Sequence, residues 1–172
     1  MYLSLIWKAV INEVVQMRNI IKNGKFYELV EKYLVNKPAI LAYSSAAKYK
    51  GLTYCEYVKK IEVYVEDFLP ELDGSKFEQI KLDSFESIDY DEDEKSIKCL
   101  TEKYVIHDLI KKCSDLEMKN VYVGNVGEEL CEAIESYDVK HRYFPVYNDL
   151  TTEQEDCFNY YKELIDKLRN SD

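Results

Sequence analysis

Along the first third of the chain the hydrophobic positions follow a helical period. Leu3, Ile6, Trp7, Val10, Val14, Met17 and Ile21 predict an amphipathic helix over about residues 2–22. Asn23-Gly24 reads as its stop. Phe26, Leu29, Val30, Tyr33 and Leu34 predict a second helix that ends before Asn36-Lys37-Pro38. Ile40, Leu41, Ser44 and Ala47 predict a third, built on small residues and closed by Gly51.

The period then shortens to two. Ile61, Val63 and Val65 alternate with Glu62, Tyr64 and Glu66, the pattern of a half-buried strand. Asp73-Gly74 marks a turn, and Ile80 and Leu82 give a second strand. Asp89 to Glu94 reads as a polar turn or edge, and Ile97 and Cys99 as a third strand. Connections this short exclude crossover helices, so an antiparallel meander is predicted. Thr101 caps a helix through about Lys112. Val121 to Val123 reads as a short strand, Gly127 to Tyr137 as a helix, and Tyr143 to Asn148 as a loop or edge around Pro145. Thr152 with Glu155 makes a capping box for a last helix carrying Phe158, Tyr161, Leu164, Ile165 and Leu168.

These elements sum to one α+β domain over residues 1–172, with a helical N-terminal third, a small antiparallel β-meander and C-terminal helices. Residues 1–37 form a helical extension, 38–112 a core, and 113–172 an α-rich C-terminal part. The composition is 47% hydrophobic with only 5 Gly and 3 Pro, which excludes collagen-like and low-complexity chains. No run of 18 apolar residues marks a membrane span, and the N-terminus lacks a signal-peptide pattern.

The charge pattern changes the functional picture. The chain carries net −10, unlike a protein that neutralises phosphates. Residues 1–60 carry net +6, residues 61–94 net −11 and residues 95–172 net −5. One 34-residue segment thus holds more negative charge than the whole chain. Glu62, Glu66, Asp67, Asp89, Asp91, Glu92, Asp93 and Glu94 all fall in it, and on one exposed sheet face they would steer a basic partner.

Candidate chemistry is sparse. His107 and Cys113 lie six residues apart, which on a helix points them about 120° from each other, so they make a poor nucleophilic dyad. His141 reads as a surface residue. Gly124-Asn125-Val126-Gly127 lacks the lysine of a phosphate loop, and Glu128 and Glu129 follow it, so it reads as an ordinary turn. The acidic run 89–94 has no glycine where a calcium loop needs one. Cys55, Cys99, Cys113, Cys131 and Cys157 show neither CxxC nor zinc-type Cys–His spacing. The sequence therefore predicts free thiols, no metal, no cofactor, no catalytic residue and a reduced, cytoplasmic setting.

Residues 38–112 resemble the C-terminal domain of AbiEi-like antitoxins, the regulator half of type IV abortive-infection pairs. The stretch Pro38-Ala39-Ile40-Leu41-Ala42-Tyr43-Ser44-Ser45-Ala46-Ala47-Lys48-Tyr49-Lys50-Gly51-Leu52-Thr53 is similar to the small-residue helix with Ser-Ala that closes on Gly-Leu in that family. Alternating valines follow in both. Ser96 to Leu100, Thr101 and Asp108-Leu109 are similar to the family's later strand and capped helix with its acid-Leu pair. Lys50 and Tyr104 depart from the family pattern, and residues 1–37 are too short for its winged helix-turn-helix.

The resemblance implies a non-enzymatic module of bacterial or phage defence. With the charge pattern it gives the expectation of an antitoxin-like or inhibitor protein that holds a basic protein partner (a toxin, nuclease or defence effector) through its acidic surface. Direct DNA binding and membrane association are not expected. Two alternatives stand beside it: an acidic nucleic-acid mimic that occupies the site of a DNA- or RNA-binding defence protein, and a small enzyme whose site is assembled from distant residues.

Overall fold

A computed structural model describes residues 20–171. The helix predicted over 2–22 lies outside the described residues up to residue 19. Over residues 20–22, the described part of that prediction, the chain is not helical. Ile21–Lys22 form a short strand, β1, paired antiparallel with β3, Tyr57–Val58. Asn23-Gly24 does not stop a helix but opens one, α1 (Asn23–Tyr33), which buries Phe26, Leu29 and Val30.

The main sheet has five strands in the order β5-β4-β2-β7-β6, namely Phe77–Lys81, Ile61–Val65, Ala39–Leu41, Lys98–Leu100 and Tyr90–Glu92. It is mixed, which corrects the expected antiparallel meander: β4 runs parallel to β5 and β2 parallel to β7, while β2–β4 and β6–β7 are antiparallel. Two features of the chain account for the difference. The sequence places Ile40 and Leu41 at the start of a helix, but Ala39–Leu41 is the central strand: three apolar residues buried on both faces carry no period. The eleven residues from Glu66 to Lys76 do cross over between parallel neighbours, without a helix. Leu72 is buried there, and the Gln79 side chain exchanges hydrogen bonds with both backbone groups of Leu69, at 2.8 and 2.9 Å. A loop tied in this way replaces the crossover helix that the length rule demands.

Helices are interspersed with the strands and also follow them. The helix α2 (Tyr43–Tyr49) leaves β2 and ends in a Schellman motif. Gly51 there takes φ 71°, and Leu52 N–H donates to the Ala47 carbonyl at 2.8 Å. After β7 come α3 (Glu102–Met118), α4 (Gly124–His141) and α5 (Thr152–Asn170), packed on one another. Thr101 stands at the start of α3, but its hydroxyl donates to Asp89 at 2.9 Å rather than capping the helix. The α5 capping box falls one residue earlier than predicted, on Thr151 and Gln154. Val121 to Val123 is irregular rather than a strand. No helix among the described residues is long and apolar enough to cross a membrane.

Because Ile40 and Leu41 are fully buried between two paired neighbours, the sheet cannot relax around a deletion there. Ile40→Ala is expected to lower the unfolding free energy by about 3 kcal/mol in urea titration. Glu94→Gln, on the exposed hairpin, is expected to change it by less than about 0.5 kcal/mol.

Candidate functional site

The end of β2 carries an unusual backbone. Ala42 is extended, and Tyr43 adopts φ 46°, a left-handed conformation costly for an aromatic residue. This sharp strand-to-helix turn aims Ser44 and Ser45 at neighbouring β4. Ser45 Oγ accepts from the Glu62 N–H at 2.9 Å, and the Ala42 N–H donates to the Glu62 carbonyl at 3.0 Å. Ser44 bridges two carboxylates, its backbone N–H donating to Glu62 and its hydroxyl to Glu129 of α4.

These groups form the floor of a cleft of about 690 Å³ bounded by α2, the β3–β4 segment, α3 and α4. Five carboxylates line it: Glu62, Glu78, Glu128, Glu129 and Glu132. Three lysines face them, Lys59, Lys60 and Lys112. Only the Lys112 ammonium approaches Glu62, at 3.6 Å, while it also lies 4.9 Å from the centre of the Tyr43 ring. The Glu62 side chain is only 13% exposed. Burial pushes its carboxyl up to about 7; Lys112 opposes the shift, and the charges of Glu78 and Glu129 reinforce it. Burial also raises Glu129, against the hydrogen bond from Ser44.

A buried network supports this floor from below. The Tyr64 hydroxyl, on the same face of β4 as Glu62, donates to Asp108 of α3 at 2.5 Å and hydrogen-bonds Tyr43. Burial holds Asp108 above the usual carboxylate range, although the Tyr64 bond opposes this. Asp108 thus fixes the rings that hold the Tyr43 turn.

The other acidic residues singled out from sequence lie elsewhere. Asp89, Asp91, Glu92, Asp93 and Glu94 cluster on the hairpin of edge strand β6, three strand positions and roughly 14 Å from β4. Most have internal partners. Asp91 pairs with Lys50 at 2.7 Å, Glu92 with Lys98 at 3.7 Å, and Asp89 accepts from Thr101. Asp93 accepts from the Lys95 and Ile97 N–H groups at 3.0 Å and from the Tyr49 hydroxyl, which makes it the pivot of the hairpin. Glu66 accepts from the Phe85 N–H at 3.2 Å, and Asp67 is exposed. Glu62 is therefore the one member of the predicted set in the cleft. Sequence reasoning missed Glu129 and Glu132 as site residues. Their i, i+3 spacing puts them on one face of α4, but nothing local shows that this face meets β4.

His107 and Cys113 point to different surroundings, as their helical offset implies. His107 is buried, and its Nε2 meets Asp149 at 3.0 Å between the rings of Tyr104 and Tyr147. Cys113 lies against Tyr161 at 3.6 Å. All five cysteines are free thiols. The Gly124–Gly127 turn begins α4, and His141 contacts Glu102 at 3.2 Å.

Comparison of the chain with protein-family models, with curated proteins and with solved structures gives no match.

The raised Glu62 carboxyl links stability to pH. Folded, it keeps its proton up to about pH 7; unfolded, it ionises near its ordinary 4.5. The folded chain binds the extra proton in this window, so stability falls as pH rises from 4.5 to about 7. Glu62→Gln cannot ionise. Urea midpoints measured between about pH 5 and pH 8 are expected to decline less in this variant, which is more stable than wild type at the upper end by roughly 1–3 kcal/mol. Parallel declines in both proteins contradict this assignment.

Proposed function

We propose that the protein is a non-enzymatic, antitoxin-like or inhibitory binding protein, and that the cleft around Glu62 and Glu129 receives a basic side chain of its protein partner. One observation carries this reading: five carboxylates converge on a single cleft where, among the described residues, only Lys112 comes within ion-pair range of Glu62. A partly buried carboxylate short of counter-charge gains most from an incoming cation. The acidic hairpin of β6 takes a second role. Its charges are exposed and largely paired within the chain, so they act on association rate through a field screened beyond about 8 Å in physiological salt.

The same pairing argues against nucleic-acid mimicry, which needs a row of carboxylates free to replace phosphates. Asp91 and Glu92 already face lysines. The enzymatic alternative is favoured by one feature. Glu62, held at about 7 beside the Ser44–Glu129 hydrogen bond, can exchange a proton at neutral pH.

A short arginine-rich peptide serves as a probe in calorimetric titration. The wild type is expected to bind it, with affinity rising between about pH 6 and pH 8, because the bound cation favours ionised Glu62 and expels its proton. Glu62→Gln together with Glu129→Gln is expected to weaken binding roughly tenfold or more, mainly through faster dissociation. Neutralising Asp91, Glu92 and Glu94 is expected to slow association at low salt with little effect on dissociation. Loss of affinity confined to the hairpin variant moves the interface to β6. Absence of binding at low salt removes the cation-binding reading and leaves the enzymatic one.

A further inference from the structure

Cys113 and Cys157 are separated by forty-three residues and belong to no spacing motif. The packing of α3 on α5 brings their thiols together. Glu117 stands one helical turn after Cys113 on the same side of α3 and reaches the pair from the solvent edge. The two sulfurs and one carboxylate oxygen lie within 4.8 Å of one another, with both cysteines buried and Glu117 exposed. Tyr161, one turn after Cys157, directs its hydroxyl to Cys113 Sγ at 3.6 Å. It can do so because Gly127 of α4 has no side chain: a Cβ there would meet the hydroxyl oxygen at 2.6 Å.

We propose that Cys113, Cys157 and Glu117 form a binding site for a thiophilic divalent cation of the zinc class. Two thiolates select against magnesium and calcium, which take oxygen ligands, and favour zinc, cadmium or cobalt. Tetrahedral zinc with Zn–S bonds of about 2.3 Å sets its donors about 3.7 Å apart, so the cluster closes by about an ångström through side-chain rotation. Each thiol loses a proton to solvent as its metal–sulfur bond forms, and water takes the fourth position on the Glu117 side. The charge of the three ligands, −3, falls to −1 on binding, which makes a buried pair of thiolates tolerable. The Tyr161 hydroxyl then donates to the Cys113 sulfur as an outer partner. The cation joins α3 to α5 at a place remote in role from the acidic cleft, and neither site requires the other.

Cobalt(II) is the test probe, added to the full chain after treatment with a chelator and a reductant. The expected result is one equivalent bound, with thiolate-to-cobalt charge-transfer absorption that zinc abolishes by displacement. Cys157→Ser is expected to remove that absorption. Glu117→Gln, at an exposed position that leaves the fold intact, is expected to weaken cobalt binding roughly tenfold. Cys55→Ser with Cys131→Ser is expected to leave it unchanged. Thermal melts with circular dichroism verify that each variant is folded. Wild-type protein with no charge-transfer band overturns the proposal. So does a band that persists in Cys157→Ser, or one of unchanged affinity in Glu117→Gln.

Discussion

The structure depends on how the chain enters and leaves three buried residues. Ala39–Leu41 form the only strand that joins the two halves of the five-stranded sheet among the described residues, with β4 on one side and β7 on the other. A strand paired on both edges and covered on both faces has no freedom of register, since a one-residue slip would turn every side chain over and break two ladders. The left-handed turn at Tyr43 follows from this confinement. The chain must leave the sheet at once to begin α2, and it does so at the cost of an unfavourable backbone geometry held by Tyr64, Asp108 and Lys112. Ser44, Glu62 and Glu129 meet because that turn is sharp.

Charge summed along the sequence does not by itself show which acidic side chains share a surface. The segment 61–94 has net −11, but its acidic groups are distributed over three strands, β4, β5 and β6, and the loops between them. On β6 they meet Lys50, Lys98 and the backbone of their own hairpin. In the cleft, Glu62 instead meets Glu78 of neighbouring β5 and carboxylates from α4, a helix that lies outside the acidic segment. A sum over consecutive residues measures charge per length of chain. The field at a surface depends on which side chains the fold makes neighbours and which of them it neutralises.

What was legible in the sequence follows the same division. The helices α3 and α5 and the strand β4 were readable because their apolar period is set by neighbours within a few residues. Ala39–Leu41 was not, because a strand buried on both faces has no alternation to read. The parallel pairing of β4 with β5 was hidden because it rests on Leu72 and on the Gln79–Leu69 bonds, contacts that no composition rule anticipates. In the cleft, Glu62 was visible as an acidic residue on a strand but not as a buried one. Burial there comes from α3 and α4, forty and more residues away. The pairing of Cys113 with Cys157 was beyond sequence reasoning for the same reason: two helix stripes each look like core, and only their packing gives the sulfurs a common neighbour.

The position of Lys112 shows why the cleft is unbalanced rather than simply acidic. Its ammonium is 3.6 Å from Glu62, beyond the 2.7–2.9 Å of a close charge-assisted hydrogen bond, and its side chain is 36% exposed. The same ammonium lies 4.9 Å from the centre of the Tyr43 ring, whose face attracts it. One cation is thus divided between a carboxylate and an aromatic ring. Meanwhile Glu129 and Glu78 add negative charge around Glu62. A lysine closed more tightly on Glu62 would hold the carboxyl lower. It sits at about 7 instead, so desolvation and like charge outweigh the lysine. The left-handed turn thus places the Tyr43 ring beside the one ammonium that approaches Glu62 among the described residues, and under the proposed function a partner's basic group supplies further positive charge.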